Sequence, residues 1–244
     1  MGAYSFDEFG HVHTLDGKPL TGVTTILGVI AKPALIQWAA NQVCEHIKTN
    51  CPKVEPCDAS DHDYYEVTVD DLEDARTAHC KKKETAGEQG TAIHAEIEKL
   101  ITVALAGDGT IGSHYKRDDH PKQVVKFIDW AAENKVKFLA SEQNLYSREW
   151  WVGGIADIVC EIDGKRYIGD IKTSSGIYPE HFIQCSAYAE MACEMGLYDK
   201  FDGVIILNLK KTGGFETRQF LDVEQGAKVF ESAVNIYRFK ESVK

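Results

Sequence analysis

No stretch of this sequence comes near the run of about 20 apolar residues that a membrane-spanning helix needs, so no membrane partner is expected. The opening, MGAYSFDEFG, has no basic segment followed by an apolar one, which speaks against a signal peptide. Phe6 stands where a myristoylation motif would carry Ser or Thr. Basic residues are also scarce: 27 Lys and Arg face 38 Asp and Glu, for a net charge of −11. That balance excludes a protein that coats nucleic acid through a broadly basic face. It does not exclude an enzyme acting on DNA, because carboxylates that hold cations add negative charge, and phosphate contacts need only local basic patches. Three such patches exist, Lys81-Lys82-Lys83, Lys165-Arg166 and Lys210-Lys211, each equally readable as solvated surface.

C-x2-C pairs are missing as well, although the chain has seven cysteines. The odd number and the expected intracellular setting favour free thiols over disulfides. Cys44, Cys51, Cys57 and Cys80 share a region with His46, His62 and His79, which makes a zinc or iron–sulfur site conceivable there. Such sites are usually announced by closely spaced cysteine pairs. The expectation is therefore plain thiols.

What is present is the composition of a folded domain. The chain has 244 residues, 43 % of them hydrophobic and 27 % charged, enough for one large domain with a proper core. Residues 4–20 read as a hairpin turning at Asp16-Gly17. A short turn follows, then a helix opening at Pro33. Residues 50–65 read as a loop. Two helices are expected next, one capped by Thr68 and one running from Gly90 to Gly107. After a second loop over 106–120, Pro121 opens another helix. The pattern then changes to three consecutive strands, the last two joined at Asp163-Gly164, a strong hairpin signal. A helix from Pro179 to Gly196, a buried strand, an edge strand and a terminal helix complete the order. This predicts an α/β (α+β) fold, a mixed central sheet flanked by helices with an N-terminal hairpin and helical region over 1–87 and a core over 88–244.

The chemistry concentrates in GGIADIVCEIDGKRYIGDIKTSS. Strand alternation puts Ile155, Asp157 and Val159 on one face and Ala156 and Ile158 on the other. Asp170 and Lys172 likewise share a face, and the Asp163-Gly164 turn makes Asp157 and Asp170 cross-strand neighbours. Two carboxylates that close repel unless a cation sits between them, and a hard divalent ion would satisfy both. The alternative is an Asp–Lys ion pair that closes a hairpin. Two helices add polar pairs at i,i+4 spacing, His94 with Glu98 and Gln184 with Tyr188. Each of these also reads as a polar helix face.

Together, Gly90 to His94 with Glu98, Gly153 to Asp157, Asp170 to Thr173, and Gln184 to Tyr188 form the series G-x-x-x-H, G-G-x-x-D, D-x-K-T and Q-x-x-x-Y. In that order they resemble the RecB-like branch of the PD-(D/E)xK nuclease superfamily. The resemblance covers residues 88 to about 210. The segment GVTTILGVIAKPALIQWAA also resembles the start of phage-type exonucleases of this branch, whereas residues 44–88 resemble nothing placeable. The resemblance implies a restriction-endonuclease-like core. It implies that His94, Asp157, Asp170 and the Ile171 carbonyl bind one or two Mg2+ or Mn2+ ions. It further implies that Lys172 orients or activates the attacking water, with Glu98 in or just behind the metal shell. Gln184 and Tyr188 would position the lysine or the phosphate, and Glu142 and Thr173 would support the site. Many members carry a cysteine-bound iron–sulfur cluster after the Q-x-x-x-Y helix. Here only Cys193 follows that motif, with Cys185 inside it, so no cluster is expected.

The function these readings predict is a metal-dependent DNA exonuclease of phage or bacterial cytoplasm, serving recombination, repair or replication. DNA is the expected substrate, and a recombination or replication protein a possible further partner. Three other readings remain: an endonuclease of the same fold, a nucleic-acid-binding member without catalysis, and a metal-dependent hydrolase of another substrate. Trp150, Trp151 and Tyr178 could stack on unpaired bases, or simply pack in the core or at its rim.

Overall fold

The computed structural model describes residues 3–8, 10–55, 62–112 and 119–244. The chain forms two compact units, one made of residues 1–30 and 92–244, the other of residues 31–91.

The larger unit begins with three short strands, β1 (Tyr4–Asp7), β2 (Val12–Leu15) and β3 (Lys18–Pro19), which pair in that order. The β2–β3 turn is the one expected. Asp16 and Gly17 take φ of 53° and 74°, the left-handed pair that two-residue hairpins require. Next come β4 (Thr21–Gly22) and the one-turn helix α1 (Val23–Leu27). The smaller unit holds α2 (Pro33–Asn50), the paired β5 (Lys53–Val54) and β6 (Tyr64–Tyr65), and the first part of α3 (Val69–Leu105). Thr68 caps α3 as its sequence predicts. Its Oγ1 accepts from the Asp71 amide at 3.2 Å, and the Asp71 carboxylate accepts from the Thr68 amide at 2.9 Å.

One expectation fails here. Two helices were predicted between residues 68 and 107, and a single helix runs through both Gly87 and Gly90. A glycine inside a helix costs about 1 kcal/mol relative to alanine. The strong helix formers Ala86, Glu88, Gln89, Ala92 and Glu96 around them outweigh that cost, and Thr91 returns a hydrogen bond to the Gly87 carbonyl at 3.1 Å. Residues 50–65, expected as loop, contain β5 and β6, and residues 56–61 with Cys57 lie outside the described residues.

The remainder of the larger unit is α4 (Lys122–Glu133), β7 (Lys137–Ser147), β8 (Val152–Ile162), β9 (Lys165–Lys172), α5 (Pro179–Glu194), β10 (Gly203–Leu209), β11 (Phe215–Phe220) and α6 (Val223–Ser242). Asp163 and Gly164, at φ of 50° and 74°, make the predicted β8–β9 turn. The sheet order is β11-β10-β9-β8-β4, with β7 also on β8. β9 and β10 run parallel, as do β4 and β8, and the other pairs are antiparallel. The sheet is therefore mixed and flanked by helices, as expected, with β11 at its edge.

Apolar residues of α1, α5 and α6 cover one face of the sheet, among them Ile26, Met191 and Phe230. Those of α4 and the C-terminal part of α3, including Phe127 and Ile101, cover the other. Gly169 shows how tightly these layers close. A Cβ there would stand 2.7 Å from the Ile205 carbonyl oxygen and 3.0 Å from Ile158 Cγ1. Overpacking of this kind costs about 1–3 kcal/mol. Gly169→Ala should therefore lower stability by about that amount in urea unfolding, and an unchanged midpoint would contradict the packing described.

Candidate metal centre

β8 is shared by two partners on one side. β4 pairs with it at Val152 and Gly153, whereas β9 pairs from Ile158 to Ile162. Between them β8 is forked, and Asp157 lies at the fork. Its Oδ2 accepts the Ile171 main-chain N–H at 2.6 Å, which ties the two diverging strands together.

The strand does not alternate through this point. Ala156 packs in the layer of α5 and α6, Ile158 in the layer of α4, and Val159 again in the layer of α5. Strict alternation had placed Ala156 with Ile158; the structure separates them. On the facing strand, Ser141 pairs with Ile158 and Gln143 with Ala156, and the ladder skips Glu142 and Asp157 between them. Glu142 adopts a left-handed φ of 47°, a conformation that costs a non-glycine residue about 1–2 kcal/mol. The backbone thus turns over at this pair, and both acids leave the ladder to meet at one point. The two glycines before Asp157 have separate reasons. A Cβ at Gly153 would stand 2.6 Å from His13 on β2, and one at Gly154 would stand 2.5 Å from the Tyr188 ring on α5.

His94 on α3 completes the group. Ligand-capable atoms of His94, Glu142 and Asp157 all lie within 4.8 Å of one another, and His94 Nδ1 is 3.6 Å from Asp157 Oδ2. Behind them runs a second set of contacts. Asp170, 3 % exposed, is ion-paired to Lys172. Gln184 accepts from Lys172 Nζ at 3.3 Å and donates to Asp170 Oδ1 at 3.4 Å and to the Tyr188 hydroxyl at 3.0 Å. Its i,i+4 spacing with Tyr188 is what puts both on the sheet-facing side of α5.

Electrostatics follow from this crowding. Burial, with Glu98 and Asp170 nearby, pushes the Glu142 carboxyl up to about 7. Burial and the Asp170 charge push Asp157 well above the carboxylate range. Burial also lowers His94, so its imidazole is neutral and one ring nitrogen has a lone pair to offer as a ligand. Lys172 behaves differently. Burial alone would lower it, but Asp170 and Asp157 together hold it above its ordinary value. It is an ammonium, a donor rather than a base. Desolvated acids held together with a neutral imidazole form a donor set that suits a divalent cation, which would cancel their repulsion.

The predicted residues thus separate into two sets. His94, Asp157 and Glu142, expected only as a supporting acid, form the possible metal group. Asp170, Lys172, Gln184 and Tyr188 form the chain behind it. Glu98 is exposed on α3 and acts on Glu142 through its charge. Ile171 brings its backbone, while its side chain is buried in the core. Thr173 is half-buried just past the end of β9. Trp150 takes the packing role against Phe230, and the Trp151 indole donates to the Pro19 carbonyl at 3.0 Å. Tyr178 is exposed and stands at the N-cap of α5. Of the basic patches, Lys81 pairs with Asp74, Arg166 with Glu161 and Lys210 with Glu216. The role of Glu142 was the one most underread, because nothing in ASEQNLYS signals a left-handed residue.

No known family model matches the chain, and no curated protein matches it. Among solved structures, one titled "Crystal structure of SSO0001" aligns at 12 % identity over 49 % of this chain and 68 % of its own, with a TM-score of 0.28. Among the described residues, no helix is long and apolar enough to cross a membrane.

Crowding at Glu142 has a signature in pH. In metal-free protein the folded state keeps its proton up to about pH 7, whereas the unfolded chain releases it near 4.5. Glu142 therefore costs nothing at low pH and increasingly destabilises the fold as pH rises from its unfolded to its folded value. Metal-free Glu142→Gln should melt above the parent at about pH 8 and with it at about pH 4. A parent that melts higher at the upper pH would show that the acids are not crowded.

Proposed function

We propose that the protein is a metal-dependent nuclease that hydrolyses phosphodiester bonds in DNA. The observation that carries this reading is the paired arrangement just described, a possible cation group of His94, Glu142 and Asp157 standing against a half-buried ammonium. A hydrolase of phosphodiesters needs both: a cation beside the scissile phosphate, and a fixed donor for the charge that develops on it. The order of motifs, resembling RecB-like nucleases of the PD-(D/E)xK superfamily, selects nucleic acid over other phosphate esters. The likeness to phage-type exonucleases selects DNA ends.

His94, Glu142 and Asp157 would hold the cation, and the Ile171 carbonyl and Asp170 would be further oxygen donors. A bound Mg2+ or Mn2+ lowers the pKa of water and offsets phosphate charge. The chain's own groups do the rest. Asp170 and Gln184 fix the Lys172 side chain, and Tyr188 fixes Gln184. The Lys172 ammonium then donates to a non-bridging phosphate oxygen or to the attacking water, and orients it in line with the bond that breaks. Because Lys172 stays protonated, its part is orientation and charge stabilisation.

The experiment is cleavage of end-labelled DNA, linear and closed-circular, with each metal. Linear DNA should be degraded and closed circles spared; cut circles would replace the exonuclease by an endonuclease. His94 favours the softer ion, so Mn2+ should support activity at least equal to Mg2+. Activity that survives excess chelator would end the metal-dependent reading. Lys172→Ala should lose about 10²–10⁴-fold in single-turnover rate and keep Mn2+ binding by calorimetry. Asp157→Asn should lose both, and near-normal cleavage by Lys172→Ala would leave only a structural ion pair.

A further inference from the structure

The parallel register of β9 and β10 sets Asn208 directly beside Lys172, and Ile206 beside Asp170. Parallel neighbours project to the same face of a sheet. That face is the one covered by α5, where Ile206 and Ile168 pack. Asn208 therefore shares a layer with Asp170, Lys172 and Gln184. It is wholly buried, at 0 % exposure. Neither its Nδ2 nor its Oδ1 has a hydrogen-bond partner among the described residues. An amide in such a place is costly, since a buried polar atom without a partner keeps its full desolvation penalty. Leucine, of nearly the same shape, would carry no such penalty, and Leu207 and Leu209 flank the position.

We infer that Asn208 is a positioning residue for Lys172: unbonded in the metal-free protein, its side-chain carbonyl takes the lysine N–H that Asp170 gives up when a cation engages that carboxylate. An ammonium has three N–H donors. Asp170 and Gln184 take two of them. The third has no acceptor among the described residues, which leaves it for phosphate or water, and the unpartnered Asn208 Oδ1 stands on the adjacent strand, on the same face. Full burial decides between this role and direct contact with substrate, because a group with no exposure cannot meet a phosphate. That replacement bond would hold the ammonium when a cation draws on Asp170, its ion-pair partner. In this way Asn208 keeps the charge aimed while the carboxylate is engaged elsewhere. The inference rests on the nuclease reading for its consequence in turnover, but not for the hydrogen bond itself.

Two variants and two readouts test it. Asn208→Leu removes the acceptor and keeps the volume; Asn208→Asp keeps an acceptor. In single-turnover cleavage of linear DNA with Mn2+, Asn208→Leu should lose about 10–100-fold in rate, the range of one outer positioning contact. Its KM should stay within about 2-fold, because uniform binding is untouched. Its melting temperature should equal or exceed the parent's, since an unpaired polar group has been removed. Asn208→Asp should retain more activity than Asn208→Leu. A purely packing role predicts the reverse order, and that order, or a leucine variant of parental rate, overturns the inference. The second readout needs no turnover. In 15N spectra of lysine ammonium groups recorded with Mg2+, the Lys172 signal is identified by its loss in Lys172→Arg, and its proton exchange should be several-fold faster in Asn208→Leu than in the parent. Equal exchange refutes the hydrogen bond even if the parent cuts no DNA, whereas absent cleavage with faster exchange refutes the nuclease reading alone.

Discussion

Where β8 has left β4 and not yet joined β9, its backbone has no strand partner on that side, and Asp157 turns into the gap. The hydrogen bond from the Ile171 amide to its carboxylate spans the fork. Without that bond a buried amide would stand unpaired, and the two strands would have no polar link at the point where they part. The same carboxylate is the point that His94 and Glu142 approach. One acid thus closes the sheet and supplies the centre of the candidate site, so stability and chemistry are joined in a single side chain.

This arrangement concentrates negative charge where water is scarce. Glu142 and Asp157 are both held above the carboxylate range, burial being the larger cause and neighbouring acids the second. Lys172 offsets part of that charge, since Asp170 and Asp157 outweigh the burial that would deprotonate it. In the protein alone the rest is relieved by protons that the raised acids retain. A fold that accepts a left-handed glutamate, desolvated acids and an unpartnered asparagine in one neighbourhood gives up stability there. Such concentrations of strain and unpaired polarity are characteristic of functional sites.

Much of the fold was legible in the chain because its signals are local. Asp16-Gly17 and Asp163-Gly164 make their turns through left-handed backbone that glycine and aspartate tolerate. Pro33, Pro121 and Pro179 open helices because a first-turn residue needs no amide hydrogen. The two-residue period placed Asp170 and Lys172 on one face of β9, but it failed in β8, where Ala156 and Ile158 pack in different layers. The glycines at 87 and 90 misled, because a helix boundary depends on the sum of its neighbours' propensities and not on one residue. Asp170, Lys172, Gln184 and Tyr188 were legible as a set, since two-residue and four-residue spacings fix common faces within single elements.

The sequence by itself determined the elements, their order, and which polar residues share a face of one strand or one helix; all of these follow from backbone periodicity over a few residues. Only the tertiary structure decided what meets across elements. The fork at Asp157 exists because β4 and β9 share one side of β8, a pairing between segments far apart in the chain. Glu142 joins the centre because the backbone turns over opposite Asp157, which no alternation pattern contains. His13 and Tyr188 explain the two glycines only when a hairpin and a helix are packed against them. Asn208 lies beside Lys172 through the register of two parallel strands joined by a helix, and register over such a connection is set by packing, not by the residues between.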